Sequence, residues 1–484
     1  MRKRILAGIL AAVLSLSLAA CGDTKQTAST EAETVQAQDG EKGLKELFEE
    51  GKKTDKKEET DQENKEQETT EESLEEEDDE KEKDTKKEKD QKDKKEKKQN
   101  MVSPEDAEIS DDWEDMTFAL DGTVFALPAP YGAFATQGWM IDWDDLDTDY
   151  YVLNPGGTKL TYLVNEDYNE DMSFMVEFTN NSEEVLEIRE CEISMVHIEI
   201  VRGHKLLENV PEIEIAGGIK YGCSEDEIID ALGEADRYYE GTGDSFNILT
   251  YDNGSYENRM KLYVFDDKGF RSIDLSTNDK KPSINIDYDI DESLIAYEEP
   301  EYEEEEKPKR QNKKNLSDDW LDMEFSLDGE IHTMPEYFGF LAEEGWEVKD
   351  SGIGEGYVLN PGEMTFGTVD IYNKEYGKDL HFQVGFANTS DRVKEITECS
   401  IYSIEVDIKF IQNEPIDEVP ELVVANDITW GSTAEDIIDA FGEADYEQNE
   451  DEYTFYSYNG EHGETLSFCV YDEYGVTQIE YTLQ

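Results

Sequence analysis

The clearest candidate for a metal site is the acidic run DWDDLDTDYY. Asp145, Asp147 and Asp149 alternate in it, as carboxylates do in a calcium-binding loop. The EF-hand pattern calls for Gly and Glu where this chain has Tyr150 and Gly156, so the run departs from that pattern at both points. We therefore predict no metal site here, and we expect no cofactor.

The histidines and carboxylates do not form a recognisable acid–base site. Two long segments of the chain match each other, as described below, and a duplicated catalytic centre would place a histidine at the same point of both. None of the five histidines meets this condition: His197, His204, His332, His381 and His462. The carboxylates that recur in both segments lie on or beside a short predicted helix. We predict no catalytic residue.

Four cysteines fall in the later part of the chain and lack metal-ligand spacing. Cys191 and Cys399 occupy equivalent apolar strand positions, whereas Cys223 and Cys469 have no cysteine opposite them in the other segment. A free cysteine in such a position behaves as a small apolar side chain. We expect Cys191 and Cys399 to be buried thiols, and the four cysteines indicate neither a disulfide framework nor a zinc site.

Cys21 differs from the other cysteines because it follows a secretory signal. Arg2, Lys3 and Arg4 precede an apolar run over residues 5–20 that ends in Leu-Ala-Ala. A basic start, a short apolar stretch and small residues before a cleavage point are typical of a signal peptide, and the run is short for a membrane span. The sequence Leu-Ala-Ala-Cys resembles the lipobox of bacterial lipoproteins.

This resemblance implies a role for Cys21 and a location for the protein. In bacterial lipoproteins the cysteine thiol receives a diacylglyceryl group, and the preceding peptide, here residues 1–20, is removed. Two acyl chains on one residue anchor a protein durably, whereas one chain gives marginal binding. The resemblance implies a lipid-anchored protein on the extracytoplasmic face of the cell membrane. An uncleaved anchor and an ordinary signal peptide are the alternatives.

Residues 21–108 are predicted to form a disordered spacer. From 41 to 100 almost every residue is Lys, Glu, Asp or Gln, and such a segment buries too little apolar surface to offset the entropy of ordering the chain. The net charge of the whole chain is −77, which repels phosphate backbones and argues against nucleic acid as a partner. The expected partners are the membrane, through the lipid, and a protein or a cell-surface polymer.

A long duplication organises the rest of the chain. The stretches GCSEDEIIDALGEAD and GSTAEDIIDAFGEAD are identical at nine positions. Ser-Asp-Asp-Trp occurs twice, ending at Trp113 and Trp320, and other matching pairs keep nearly the same spacing. Matches that stay in register over this length predict two homologous tandem domains, at 109–280 and 316–484. An acidic linker at 281–315 would join them.

Within each predicted domain, strand signals dominate. Phe174, Val176 and Phe178 alternate with less apolar residues, which is typical of a half-buried strand. In the next strand the apolar positions change phase, and this predicts a bulge or a bend. The repeated stretch has helix-capping spacing and a closing glycine, and three short strands follow it. We predict helix-plus-meander modules at 217–276 and 426–482, in an α+β fold that is mainly antiparallel sheet with short helices.

Other residues that recur in both predicted domains are predicted to have structural roles. Four tryptophans beside apolar residues are predicted to be core: Trp113, Trp139, Trp320 and Trp346. YVLNPG occurs in both domains, and its Asn-Pro-Gly is turn chemistry. We predict that it separates strands and forms no site. The helix of the second domain is predicted to pack on a sheet through Ile437, Ile438 and Phe441.

The second fifteen-residue stretch, a Tyr-rich strand and the hairpin LSFCVYDEYG together resemble a small module of known proteins. It is similar to modules of SmpA/OmlA-type lipoproteins and of the β-lactamase inhibitory protein, and the duplication is similar to that of two-copy lipoproteins of Gram-positive bacteria. The resemblance covers the helix-plus-meander modules. It implies a helix-plus-sheet surface that binds other proteins without catalysis.

These observations favour a binding or scaffolding module held at the membrane. The alternative is a cell-wall or carbohydrate-active hydrolase that uses a carboxylate pair. A solute-binding protein is disfavoured because the chain shows no alternating βαβ pattern.

Overall fold

The structure is a computed structural model. It describes the following residues: 101–104, 106–168, 172–202, 205–241, 246–254, 258–302, 307–310, 313–349, 353, 356–365, 367–376, 380–409 and 415–483. The predicted signal peptide, Cys21, the spacer up to residue 100 and His204 lie outside these ranges. Among the described residues, no helix combines the length and the apolar character that a membrane crossing requires.

The first lobe, residues 113–295, is built mainly from strands. Its strands are β1 (Thr117–Leu120), β2 (Thr123–Ala126), β3 (Ala129–Pro130), β4 (Met140–Ile141), β5 (Val152–Leu153), β6 (Thr158–Val164), β7 (Ser173–Thr179), β8 (Leu186–Glu187), β9 (Glu192–Glu199), β10 (Val201–Arg202), β11 (Lys205–Leu206), β12 (Ile213–Ile215), β13 (Ile219–Lys220), β14 (Arg237–Tyr239), β15 (Phe246–Asp252), β16 (Asn258–Phe265) and β17 (Gly269–Thr277). Its helices are α1 (Tyr131–Thr136), α2 (Trp143–Leu146), α3 (Glu225–Leu232) and α4 (Glu292–Ile295).

The second lobe, residues 320–483, has the same character. Its strands are β18 (Glu324–Leu327), β19 (Glu330–Thr333), β20 (Glu336–Tyr337), β21 (Glu347–Val348), β22 (Val358–Leu359), β23 (Val369–Tyr372), β24 (His381–Ala387), β25 (Lys394–Glu395), β26 (Ser400–Asp407), β27 (Leu422–Val424), β28 (Ile428–Thr429), β29 (Tyr446–Asn449), β30 (Tyr453–Asn459), β31 (Glu464–Tyr471) and β32 (Gly475–Leu483). Its helices are α5 (Phe338–Glu343) and α6 (Ala434–Phe441).

Each lobe contains a large and a small antiparallel sheet. The large sheet of the first lobe has the order β14-β15-β16-β17-β9-β7-β6-β4, with β3 also paired to β9. The large sheet of the second lobe has the order β29-β30-β31-β32-β26-β24-β23-β21, with β20 also paired to β26. The small sheets are β13-β12-β1-β2 and β28-β27-β18-β19. The protein is therefore mostly antiparallel sheet with a few short helices.

The core of each lobe lies between its two sheets. Phe174, Val176 and Phe178 are buried on one side of β7, and they share a core cluster with residues of the small sheet. Trp139 and Trp346 are each 1% exposed, as predicted. Trp113 and Trp320 are only partly buried at the edge of the core. The prediction that all four tryptophans are core residues is therefore wrong for this pair, which lies in the short helical turns that precede the first strand of each lobe.

The phase change predicted in the central strands is a β-bulge. On β9, Ile193 faces Phe178 and Met195 faces Glu177, so the register shifts by one residue between them. The same shift separates the pairs of Phe386 and Gly385 with β26. One extra residue on one strand turns the following side chains to the other face. The bulges therefore set which side chains of β9 and β26 point away from the core.

The helices α3 and α6 begin with capping boxes, as predicted. The Ser224 hydroxyl accepts from the Glu227 N–H, and the Glu227 carboxylate accepts from the Ser224 N–H. Thr433 and Asp436 exchange the same two bonds. The predicted apolar stripe of α6 is wrong at one position, since Ile437 is buried but Ile438 is 42% exposed. Phe441, one turn after Ile437, is partly buried and packs against the core.

The two lobes are joined by the sequence YVLNPG, which corrects the prediction that this sequence only separates strands. The Val152 N–H donates to Asn360 Oδ1 (2.8 Å), and Asn360 Nδ2 donates to the Val152 carbonyl (2.9 Å). Asn154 makes the same two bonds with Val358, each at 2.8 Å. Both asparagines are buried. Reciprocal contacts, in which the same residue type of each half makes the same bonds to the other half, are typical of a two-fold interface.

The first part of the predicted linker packs on the first lobe. Ile284, Ile286 and Tyr288 contact a small apolar cluster on the outer side of the β1–β2 hairpin. Helix α4 follows and contacts α1. The folded part of the first lobe thus continues past residue 280.

Candidate functional site

Each large sheet has one face turned toward the core and one face turned away from it, which we call the open face. In β9 the buried residues Val196 and Ile198 alternate with His197 and Glu199. In β26 the buried residues alternate with charged residues in the same way. Because successive side chains of a strand point to opposite faces, these charged residues lie on the open faces.

The centre of the first open face is a hydrogen-bonded network around Asp274. His197 Nδ1 contacts Asp274 Oδ1, and the Tyr263 hydroxyl donates to Asp274 Oδ2 (2.8 Å). Lys261 Nζ lies 3.8 Å from the same oxygen. The hydrogen bond to Asp274 raises the pKa of His197. Burial alone would raise the pKa of Asp274, but His197, Tyr263 and Lys261 together outweigh burial and lower it. The network therefore favours an imidazolium–carboxylate pair.

The centre of the second open face is a group of three carboxylates. Glu405 and Glu480 are directly opposite on β26 and β32, and Asp407 follows on β26. Burial, with the charges of Glu480 and Asp407, raises the pKa of Glu405 to about 7. Burial raises the pKa of Asp407 to about 6 and also raises the pKa of Glu480. These side chains hold protons at a pH where ordinary carboxylates have lost them.

Neutral and basic groups surround these carboxylates. Gln478 Nε2 donates to Glu405 Oε1 (2.9 Å), and His381 Nε2 lies 3.9 Å from that oxygen. Burial lowers the pKa of His381, so this imidazole contributes little positive charge at neutral pH. The Lys409 N–H donates to Asp407 Oδ1 (2.7 Å). Glu405 and Asp407 therefore each accept a hydrogen bond from a neutral N–H group.

Aromatic side chains lie at one end of each open face. The rings of Phe246 and Phe265 are 5.2 Å apart on β15 and β16, and the rings of Tyr453 and Tyr471 are 5.2 Å apart on β30 and β31. Lys409 Nζ lies 4.2 Å from the centre of the Tyr471 ring. Aromatic rings supply large contact areas with a defined shape. Each open face thus combines an apolar end with a polar centre, as binding surfaces commonly do.

The edge strands of the large sheets add exposed tyrosines to these faces. Tyr239 on β14 pairs with Ile248, and Tyr446 on β29 pairs with Ser457. Their side chains are 59% and 50% exposed. An exposed aromatic ring beside polar groups is a frequent contact residue in protein interfaces.

The two open faces differ in chemistry although their strands have the same order. His197 faces Asp274 across the central strand pair of the first lobe, whereas Glu405 faces Glu480 across the corresponding pair of the second. A basic–acidic pair therefore stands where the other lobe has two acids. The lobes do not present one catalytic set twice.

The residues considered as metal ligands have structural roles. Asp145 accepts from the Thr161 hydroxyl (2.9 Å), and Asp147 ends α2 in a left-handed conformation. In the described part of the chain, no group of three His, Cys, Asp or Glu side chains is arranged to hold a metal ion.

The cysteines of the described lobes are thiols. Cys191 and Cys399 are buried, as predicted, and burial raises the pKa of each to about 12. Cys469 is also buried. Cys469 lies directly opposite Gln478 on the neighbouring strand, so its side chain is on the second open face. A thiol of such high pKa is a poor nucleophile. Cys21, the predicted lipidation site, lies outside the described residues.

Sequence reasoning missed the charged centres of the open faces and the junction asparagines. One signal was present: the strand sequences SMVHIEI and SIEVDI place charged residues regularly between buried apolar ones. The alternation shows that one face is polar. The sequence gives no indication that His197 meets Asp274, because their strands are far apart in the chain.

The comparisons with known proteins add no further constraint. No protein-family model, no curated protein and no solved structure matches this chain.

Proposed function

We propose that this protein is a membrane-anchored extracytoplasmic lipoprotein that acts as a binding or scaffolding module. In this proposal Cys21 carries the lipid, the charged segment that follows is a spacer, and the two lobes are homologous α+β domains. The shared strand order, the paired bulges and the paired capping boxes support a duplication. The ligand would be a protein or a cell-surface polymer.

The observation that carries the proposal is the composition of the open faces. Both combine aromatic residues at one end with a charged centre, and the charged centres are not equivalent. Duplication of a binding surface explains the shared arrangement, and later divergence explains the different centres, because each lobe of a binding protein can change its contacts independently. The two charged centres offer no acid–base set that is common to both lobes.

Site-specific photocrosslinking on intact cells tests the binding role. A photoreactive phenylalanine analogue would replace Tyr239 or Tyr446, which are exposed on the open faces, and Leu206 as a control that is also exposed. Irradiation should give discrete adducts from one or both face positions and none from the control. Equal adducts at all three positions, or none at the two face positions, would contradict the proposal.

A second candidate function, a carboxylate-pair hydrolase, is favoured by Glu405 and Glu480. The raised pKa of Glu405, about 7, suits a general acid, and a neighbouring carboxylate can serve as base or nucleophile. Hydrolysis of cell-wall glycan that is lost in both Glu405→Gln and Glu480→Gln, while the protein stays folded, would establish this function. Wild-type protein without hydrolytic activity on such glycans would exclude it.

A further inference from the structure

Residues 307–310, near the end of the predicted linker, lie against α5 of the second lobe, and we call them the docked segment. The guanidinium of Arg310 contacts Glu344, the residue directly after α5. It also lies 5.8 Å from the centre of the Phe340 ring. The Arg310 side chain is 22% exposed, so most of it is shielded from water. Arg310 therefore holds the docked segment on the lobe.

Arg310 also contacts a histidine that is completely buried. His332 on β19 is 0% exposed, and its ring stacks on Phe325 of β18, with the ring centres 5.0 Å apart. Arg310 Nη2 lies 3.2 Å from His332 Nε2. A guanidinium can donate only to an imidazole nitrogen that carries a lone pair. The contact is therefore a hydrogen bond only while His332 is neutral and Nε2 carries no proton.

Two carboxylates favour the opposite, protonated state of His332. Glu344 Oε2 lies 3.3 Å from Nε2, and Glu336 Oε2 lies 3.4 Å from Nδ1. Burial alone would lower the pKa of His332, but the hydrogen bonds and charges of Glu336 and Glu344 outweigh burial and raise it. Burial alone would raise the pKa of Glu344, but His332 and Arg310 lower it. Glu344 therefore stays ionised through the pH range in which His332 titrates.

A proton on Nε2 and the guanidinium of Arg310 oppose each other. Nε2 either directs an N–H at Glu344 or accepts from Arg310, because this nitrogen has a single bonding site in the ring plane. Once Nε2 is protonated, two positive groups face each other at 3.2 Å, although Glu344 offers one oxygen to each. Like charges repel more strongly where water is excluded. By linkage, protonation weakens the contact of Arg310 by the same factor as Arg310 weakens protonation.

Four further charged residues lie close to His332 in the chain or on the elements around it: Lys313, Glu324, Glu330 and Glu343. Lys313 contacts Glu324 and donates to the Thr333 hydroxyl (3.1 Å). Because Glu324 and Thr333 alternate with Phe325 and His332 along their strands, this pair lies on the other face of the hairpin. Glu330 and Glu343 are exposed, where water screens their charges. The charges that face the imidazole are thus those of Glu336, Glu344 and Arg310.

The first lobe has an uncharged side chain at the corresponding place. Phe125 lies opposite Phe118 in the β1–β2 hairpin, as His332 lies opposite Phe325 in the β18–β19 hairpin. Phe125 is also completely buried, and its ring stacks on Phe118 with centres 5.4 Å apart. The packing of this hairpin therefore does not require a histidine. A titratable ring at this place in the second lobe makes its contact with the linker depend on charge.

We propose that the docked segment is a pH-sensitive switch: it is held on the second lobe while His332 is neutral and loosens when His332 Nε2 gains a proton. The proton comes from solvent water, and the bond that breaks is the hydrogen bond from Arg310 to Nε2. Because Glu336 and Glu344 raise the pKa of His332 above the ordinary value of 6.5, the transition lies above that pH. The switch does not depend on a ligand for the open faces.

A spin label on the docked segment measures its mobility in the full chain. A ketone-bearing amino acid at position 307, where Lys307 is exposed, accepts the label without use of the cysteines. The electron paramagnetic resonance spectrum should be broad, as for an immobilised label, at high pH and should narrow as the pH falls to 5.5. The same label at position 281 of the first lobe, which is also exposed, should give a spectrum that does not change.

Two variants separate the roles of His332 and Arg310. His332→Phe, which introduces the residue found in the first lobe, should keep the label immobile at every pH, because Glu344 still holds Arg310. Arg310→Gln should free the label at every pH and should raise the pKa of His332, measured by NMR of the histidine rings, by about one pH unit. The matched control Lys313→Gln removes a positive charge on the other face of the hairpin and should change neither the transition nor this pKa.

Any one of four results would overturn the proposal. The label at position 307 could be insensitive to pH, or it could become more mobile as the pH rises. The transition could persist in His332→Phe or occur equally at position 281. The pKa of His332 could be unchanged or lower in Arg310→Gln. If His332→Phe does not fold, the titrations of the wild type and of Arg310→Gln decide the question.

Discussion

Three carboxylates on the second open face are held where ionisation is unfavourable. The pKa of Glu405 is raised to about 7 and that of Asp407 to about 6, mainly because burial removes water from the charged forms. The first open face avoids this cost by pairing Asp274 with His197. At the scale of single residues, the second lobe thus carries a cluster of carboxylates that destabilises the folded state. Carboxylates with strongly shifted pKa values are characteristic of functional surfaces.

Glu405→Gln should stabilise the protein at alkaline pH. The folded-state pKa of Glu405, about 7, lies above the ordinary value of 4.5, so the folded state binds more protons between about pH 4.5 and 7, and stability falls as the pH rises through this window. Gln keeps the acceptor for Gln478 and removes the charge. We expect the free energy of unfolding to rise by about 1 to 2 kcal/mol at pH 8 and to be unchanged at pH 4.

Urea unfolding at both pH values measures this effect. Glu435→Gln, on the exposed side of α6, removes one charge elsewhere and should change stability by less than about 0.5 kcal/mol. A Glu405→Gln variant that is equally stable or less stable than the wild type at pH 8 would show that Glu405 is not held in an unfavourable environment.

Cys21→Ser should abolish lipid attachment, because the acyl chains are bound through the thiol. Cells supplied with an alkyne-tagged fatty acid should label the wild-type chain and leave the variant unlabelled. Cys223→Ser, at a partly buried thiol of the first lobe, should be labelled as the wild type is. Labelling of Cys21→Ser would disprove the anchor.

At the scale of elements, local patterns predicted the structure well. The capping residues Ser224 and Thr433 lie at the helix starts, and the change of phase before Val196 is a bulge. Each of these features depends on residues close together in the sequence. Ile438 was misassigned because helical spacing shows that a stripe exists but not how wide the facing surface is.

The junction could not be predicted, because it depends on contacts between distant elements. Asn154 and Asn360 lie in turns, where asparagine is common for local reasons. Their side chains bond the backbone of Val358 and Val152 in the other lobe, and Asn360 Nδ2 also donates to Glu363 of its own turn (2.9 Å). Nothing in either turn distinguishes an asparagine that bonds its own loop, as Asn180 does with Ser182, from one that bonds another lobe.

Asn360→Ala should weaken the junction strongly. The substitution leaves the N–H and carbonyl of Val152 buried without their partner, at a cost of about 2 to 4 kcal/mol. Asn154→Ala should act similarly through Val358, and the double variant should separate the unfolding of the lobes into two transitions. Differential scanning calorimetry measures both effects. The control Asn449→Ala, at an exposed position, should change stability by less than about 0.5 kcal/mol. Equal losses of stability in Asn360→Ala and Asn449→Ala would show that the junction bonds do not stabilise the protein.

At the scale of the whole molecule, the net charge of −77 opposes compact folding and the association of two acidic lobes. The junction is suited to this condition, because neutral amides make its paired bonds. Hydrogen bonds of this kind do not require charge complementarity between the lobes. Repulsion across the surface remains, and it weakens as salt screens it over shorter distances.

Added salt should therefore raise the melting temperature. Between about 10 and 200 mM monovalent salt the screening length falls from about 30 to below 10 Å, so we expect a rise of several degrees. Sodium and choline chloride should act equally if screening is the cause, whereas a larger effect of calcium chloride at matched ionic strength would indicate a cation site. Melting temperatures that stay level or fall in both monovalent salts would mean that the acidic surface does not limit stability, and the use of neutral amides for the paired bonds of the junction would then need another explanation.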